Sequence, residues 1–197
     1  YRVISAEEAQ QAEALYQKAP GDWQEKATPN VVVLSGGRPL EEGDGGRVML
    51  APVRPGTYLL GGIATSAGVG PQRGFMVASL AMGTVQFEAR PGVITDRGNV
   101  LAALEGQRAD IPELAKVASP RIKDLVVPFA VAVRPADAST PVPAAVRDIP
   151  RAPADYHAAP AIPNYAGAAL TRLAPLAGVL DYDKNGDVVD LKAAHAP

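Results

Sequence analysis

Apolar and polar positions alternate most regularly across residues 84–90, where Val85, Phe87 and Ala89 fall on one side of an extended chain and Thr84, Gln86, Glu88 and Arg90 on the other. Period two marks a strand with one buried and one solvated face. Pro91-Gly92 then turns the chain: proline presets φ at the second turn position, and glycine accepts the positive φ that a type II turn needs at the third. A strand through Val93, Ile94 and Thr95 follows. Arg-Pro-Gly also stands at residues 54–56, ahead of Thr57-Tyr58-Leu59-Leu60, so one tripeptide introduces two strands.

Val31-Val32-Val33-Leu34 and residues 47–53, 57–64 and 75–82 read as further strands, bounded by glycine or proline. Residues 124–133 are the most apolar run of the second half; Pro128 cannot donate to a ladder, so this is an edge strand or two strands broken at the proline. Helical spacing is confined to short pieces. Ser5-Ala6-Glu7-Glu8 has capping-box spacing ahead of Ala9, Ala12 and Tyr16, until Pro20-Gly21 stops the helix. Residues 110–117 read as a short capped helix with Pro112 in its first turn. Asn164 can cap a helix through Leu173, ended by Pro175. The lone tryptophan, Trp23, is expected to pack against the sheet. The expectation is a mainly β chain, an antiparallel β-sandwich with a few short peripheral helices and a Pro/Ala-rich extended segment.

That segment covers residues 134–163, where prolines enforce extended backbone. Val142, Val146, Ile149, Tyr156 and Ile162 are spaced apolar anchors, which favours wrapping across the domain over a free linker. The chain then divides into an N-terminal helical appendage (1–27), the sandwich (28–134), the wrapping segment (135–163), and a short helix with a C-terminal hairpin packed on the sandwich (164–197).

Candidate chemistry is sparse. The 197 residues contain no cysteine and two histidines, His157 and His195, which removes disulfides and thiol catalysis and nearly excludes a zinc site on histidines. A formal net charge of −2 leaves no electrostatic footprint for nucleic acid. No apolar run reaches the roughly 18–20 residues that span a bilayer. The chain starts at Tyr1, so a signal peptide or lipid anchor would lie upstream of it. Glu41, Glu42 and Asp44 lie in an acidic glycine-rich stretch that reads as a mobile solvated loop rather than a cation site. Gly68-Val69-Gly70-Pro71-Gln72-Arg73 fails the dinucleotide fingerprint, because arginine replaces the third glycine, and reads as a strand connection. Asp155-Tyr156-His157 gathers an acid, a phenol and an imidazole without a nucleophile, and reads as a solvated or hydrogen-bonded surface group.

Residues 179–192 carry two readings. Asp181, Asp183, Asn185 and Asp187, with Gly186, match the first half of a calcium loop of alternating oxygen ligands, but Lys192 occupies the twelfth position in place of a bidentate glutamate. The alternation of apolar and polar residues on both sides of Asn185-Gly186 is a hairpin signal, and the hairpin reading is preferred. A calcium site on Asp181, Asp183, Asn185 and Asp187 stays open as a hypothesis; no other cofactor is expected.

Pro55-Gly56-Thr57-Tyr58 in one strand, with Phe87-Glu88-Ala89-Arg90-Pro91-Gly92 and a closing Gly98 in a second pair, resembles the prealbumin-like sandwich modules of uncharacterised bacterial secreted proteins and lipoproteins. The resemblance covers about residues 30–100. It implies a prealbumin-like or immunoglobulin-like sandwich in a periplasmic, outer-membrane-associated or secreted protein, with no catalytic residues to carry over. The expected function is non-catalytic recognition or assembly, with a protein or glycan of the cell envelope as partner. The alternatives are a carbohydrate-binding or carbohydrate-active module using surface carboxylates, and a calcium-dependent adhesion module.

Overall fold

In a computed structural model of the chain, the described residues are 41–43, 46–67, 74–104, 112–115, 121–122, 125–126, 129–159 and 169–193. The expected helix over residues 5–16, Trp23, the strand at 31–34, the connection at 68–73 and the anchor Ile162 lie outside them. The described chain is mainly β, and its regular helix is one short piece, α1 (Pro112–Ala115), beside a 3-10 turn at Ala144–Val146.

The strand of the opening pattern forms as β6 (Thr84–Ala89) and sits at the centre of a three-stranded sheet. On one side it pairs antiparallel with β3 (Gly56–Leu59), on the other with β13 (His157–Ala159). Val85, Phe87 and Ala89 are buried and Glu88 is exposed, as period two requires. Thr84 departs from the pattern. It is fully buried, because its hydroxyl donates to the Leu60 carbonyl at 2.6 Å and so meets its polar requirement inside the core. After Arg90 the chain turns through Gly92, at φ +70°, into β7 (Ile94–Asp96).

Three aromatic rings cross this sheet. Tyr58 stands opposite Phe87, and their rings stack at 6.1 Å. One residue beyond the His157↔Gln86 pair, Tyr156 meets the Phe87 ring in a T-shaped contact at 5.8 Å. Such cross-strand aromatic pairs add to simple burial. Each tyrosine keeps its polar end paired: Tyr58 donates to the Arg54 carbonyl and Tyr156 to the Arg97 carbonyl, both at 2.7 Å.

A second set of strands begins with β4 (Gly62–Ala67) and β5 (Gly74–Ser79), paired antiparallel. On the far edge of β5 lies β14 (Ala169–Leu170), which pairs in parallel. The chain leaving β14 continues between two neighbours: Thr171 N–H donates to the Ser79 carbonyl, Leu173 N–H to Gly83, and Ala174 N–H to Val131. Residues 169–173 are therefore extended where the sequence suggested a helix, since pairing along β5 and β11 (Phe129–Arg134) supplies the hydrogen bonds that local alanine propensity cannot outweigh.

The apolar run at 124–133 divides about its proline into β10 (Leu125–Val126), which pairs with β9 (Arg121–Ile122), and β11 (Phe129–Arg134); Pro128 itself is outside the described residues. β11 pairs with β8 (Asn99–Leu104), and both its faces are covered. Val131 and Val133 enter the main core, while Ala130 and Ala132 face a small cluster with Ala103, Ala174 and Leu114 of α1. A strand buried on two faces reads as a continuous apolar run, which is how this one reads.

The main core joins Tyr58, Leu60, Val85 and Phe87 to Leu80, Val131, Leu173 and Leu180. Each fully buried leucine or valine of this set contributes about 1.5–3 kcal/mol by leaving water. The Pro/Ala-rich segment supplies part of the same core: β12 (Arg151–Pro153) runs parallel to β7, β13 follows, and Ala154, Tyr156 and Ala158 are buried. Of the expected anchors, Val146 and Tyr156 are buried, whereas Val142 and Ile149 are exposed. The pairings of β12 with β7 and of β14 with β5 are parallel, so the strands are not all antiparallel as expected. Parallel partners need long connections, and here both join segments far apart in the chain.

Candidate functional site

Asp155, His157 and the four residues of the calcium hypothesis lie at the C-terminal hairpin or on the strand beside it. β15 (Leu180–Tyr182) and β16 (Val188–Asp190) pair antiparallel, with Tyr182 opposite Val188, leaving residues 183–187 as the connection. Asp183 organises that loop. Its Oδ1 accepts from the amides of Asn185 at 2.8 Å and Asp187 at 2.9 Å, and its carbonyl accepts from Gly186 N–H at 3.0 Å. Asn185 Nδ2 donates to Asp183 Oδ2 at 3.3 Å. Hydrogen bonds from the loop amides, that of Asp187 foremost, hold the Asp183 carboxyl below the usual carboxylate range.

The four residues of the calcium hypothesis are thus neighbours in space but differently engaged. Asp181 Oδ1 accepts from the Tyr182 amide at 2.8 Å, Asp183 turns into the loop, Asn185 presents its nitrogen to Asp183, and the Asp187 side chain is exposed. Among the described residues, no three His, Cys, Asp or Glu side chains are gathered to hold a metal ion. Glu41 and Glu42 lie in β1 (Glu41–Gly43), paired with β2 (Gly46–Val48), where the sequence suggested a loop; Asp44 is outside the described residues.

Lys192 has a different employment from the one its position in a calcium loop would imply. Asp190 Oδ1 accepts from the amides of Lys192 at 2.9 Å and Ala193 at 3.2 Å, a turn that aims the lysine at the strand beside the hairpin. There its ammonium bonds Asp155 Oδ1, and Asp155 Oδ2 lies 3.4 Å from His157 Nε2. Asp155 and His157 share one face because they are two apart on extended chain, while Tyr156 between them points into the core. The hydrogen bond from Lys192 is the main reason the Asp155 carboxyl sits below its usual range. An acid so held stays ionised near neutrality and is a poor proton acceptor.

A third cluster lies where β7 meets β12. Arg151 reaches Asp96 Oδ2 at 3.1 Å, both side chains being about four-fifths buried, and donates to the carbonyls of Thr140 and Pro141 at 3.3 and 3.5 Å. Asp96 Oδ1 accepts from Gly98 N–H at 2.8 Å, and its main-chain carbonyl from Ala154 N–H at 2.7 Å. Neither this cluster nor the Asp155–Lys192 pair was found from the sequence; the local trace of the first is the Asp96-Arg97-Gly98 turn, a spacing at which an aspartate caps its own chain. No helix of the described residues is long and apolar enough to cross a membrane. No protein-family model, curated protein or solved structure matches this chain.

Proposed function

We propose that the chain is a non-catalytic recognition or assembly module of the bacterial cell envelope, built as a prealbumin-like or immunoglobulin-like sandwich. The observation that carries the non-catalytic reading is the employment of its acids. Asp96, Asp137, Asp155 and Asp183 each direct carboxylate oxygens to amides, hydroxyls or cations of this same fold. Exposed apolar side chains such as Val48, Leu50 and Val53, ahead of β3, are open to a partner. The sandwich reading is supported by the main core, to which β3, β6 and β13 contribute from one sheet and β11 from another. The envelope location rests on the resemblance carried by the two Pro-Gly strand pairs. The 183–187 loop is read as a hairpin turn and not a calcium loop, because Asp183 Oδ1 is taken up by two loop amides.

Thermal unfolding against calcium with an EDTA control, a glycan panel, cell-wall fragments and envelope protein extracts tests this reading. A ligand at a hundredfold over its Kd stabilises by about 2.7 kcal/mol, or roughly 5–10 °C for a chain of this size. A shift with an envelope component and no turnover of it is the expected result. Glycan hydrolysis that disappears with an acid-to-amide substitution would replace the proposal with the carbohydrate-active reading, and a calcium shift abolished by Asp183→Ala would replace it with calcium-dependent adhesion.

A further inference from the structure

Asn185-Gly186 is the sequence at which an asparagine most readily loses its side-chain amide, because glycine leaves the following backbone nitrogen unshielded. The chemistry is intramolecular. Gly186 N attacks Asn185 Cγ and gives up its proton, the Cγ–Nδ2 bond breaks and ammonia leaves, and the resulting succinimide takes up water to give aspartate or isoaspartate.

Here both reacting ends are tied to one residue. The nucleophile, Gly186 N–H, donates to the Asp183 carbonyl at 3.0 Å, which retains the proton that must be lost. The departing group, Asn185 Nδ2, donates to Asp183 Oδ2 at 3.3 Å, and Asn185 N–H is fixed on Asp183 Oδ1. The Asp183 carboxylate also places negative charge beside the amide anion that succinimide formation requires, which disfavours it. Meanwhile Asn185 is exposed and open to water. We infer that Asn185 is a latent deamidation site, closed by Asp183 while the hairpin is intact and opened when the loop is released. Conversion adds a charge to a hairpin that already carries Asp181, Asp183 and Asp187, and the isoaspartate form also lengthens the backbone where Gly186 must bond Asp183. The C-terminal hairpin would then carry a chemical record of how often its loop has opened.

The test incubates the full chain in mildly alkaline buffer and follows, by peptide mass spectrometry, the mass gain of amide-to-acid conversion at position 185 and the isoaspartate fraction. The native chain should convert about tenfold or more slowly than the same chain in urea, the factor expected if the loop bonds together add about 1.4 kcal/mol to the barrier. Asp183→Ala should accelerate conversion in the native state, with circular dichroism and the melting curve showing that the rest of the chain is folded. Asp183→Asn, which keeps the carbonyl and one acceptor oxygen, should fall between them. Equal rates in native buffer and urea, or no acceleration in a folded Asp183→Ala chain, would overturn the inference.

Discussion

The Tyr182 ring lies directly over Gly83: a β-carbon built on that glycine would come within 2.7 Å of Tyr182 Cε1 and 2.8 Å of its hydroxyl oxygen. The hydroxyl is held from the other side, donating to the Leu173 carbonyl at 2.7 Å, and the Arg172 guanidinium sits 4.3 Å from the ring centre. Tyr182 is thereby the pin between the C-terminal hairpin and the turn after β5.

Gly83→Ala should therefore destabilise the chain. Gly83 is at φ +139°, and neither backbone nor a ring hydrogen-bonded at its far end can give way cheaply. The expected loss is about 1–3 kcal/mol, from strain and from displacement of the ring. Urea unfolding should show a lower midpoint with an unchanged slope; an unchanged midpoint would mean that the ring does not rest there.

The Asp96–Arg151 pair should behave as a partly buried pair. Arg151→Met removes the cation from a carboxylate about one-fifth exposed and releases the carbonyls of Thr140 and Pro141, at an expected cost of about 2 kcal/mol. Asp96→Asn keeps the acceptor for Gly98 N–H and should cost less. A double-mutant cycle should return a coupling of about 1 kcal/mol. A coupling near zero would show that Arg151 acts through the Thr140 and Pro141 carbonyls alone.

What the sequence disclosed, and what it did not, follows from how far apart the interacting residues are. The alternation at Val85, Phe87 and Ala89 places β6, the valine-alanine run places β11, and Asn185-Gly186 lies in the connection between β15 and β16; each is local. The expected hairpin is present, but its register leaves residues 183–187 as the connection instead of a two-residue turn. Long-range partners leave no period to read. Lys192 finds Asp155 across 37 positions, and the parallel pairing of Arg151 with Ile94 depends on the whole intervening chain. Alanine misleads where it is packed rather than helical, as at Ala169, which pairs with Ala78. The composition of Asp155-Tyr156-His157 suggests a surface group, yet the middle residue is a core aromatic because strand geometry sends alternate side chains to opposite faces.

Acid should weaken the attachment of the C-terminal hairpin. The Asp155 carboxyl is lowered in the folded chain, chiefly by its hydrogen bond from Lys192, so its contribution is fully present above the ordinary aspartate value of about 3.9 and is lost as pH falls through the lower folded value. The pair is largely exposed, which limits its worth to about 0–1 kcal/mol and makes it sensitive to salt. Lys192→Met should raise the Asp155 titration midpoint, followed by NMR, towards the ordinary value; a midpoint that does not move would assign the shift to another group.

Alkali should also destabilise the chain, through the buried phenols. Burial is the main cause that raises Tyr156 and Tyr182 above the ordinary tyrosine value, and each keeps its proton on a main-chain carbonyl. Above about pH 10 the unfolded chain loses these protons while the folded chain retains them, so the unfolded state binds fewer protons and stability falls as pH rises. The slope should flatten in Tyr156→Phe, which cannot ionise. At neutral pH that variant should lose about 1–2 kcal/mol, because the Arg97 carbonyl forfeits its donor. Ultraviolet titration of the native chain should show two phenols that ionise only as the protein unfolds. Two phenols that titrate freely near pH 10 in a folded chain would mean that the aromatic ladder across β3, β6 and β13 is open to water at Tyr156 and that the pin at Tyr182 is loose.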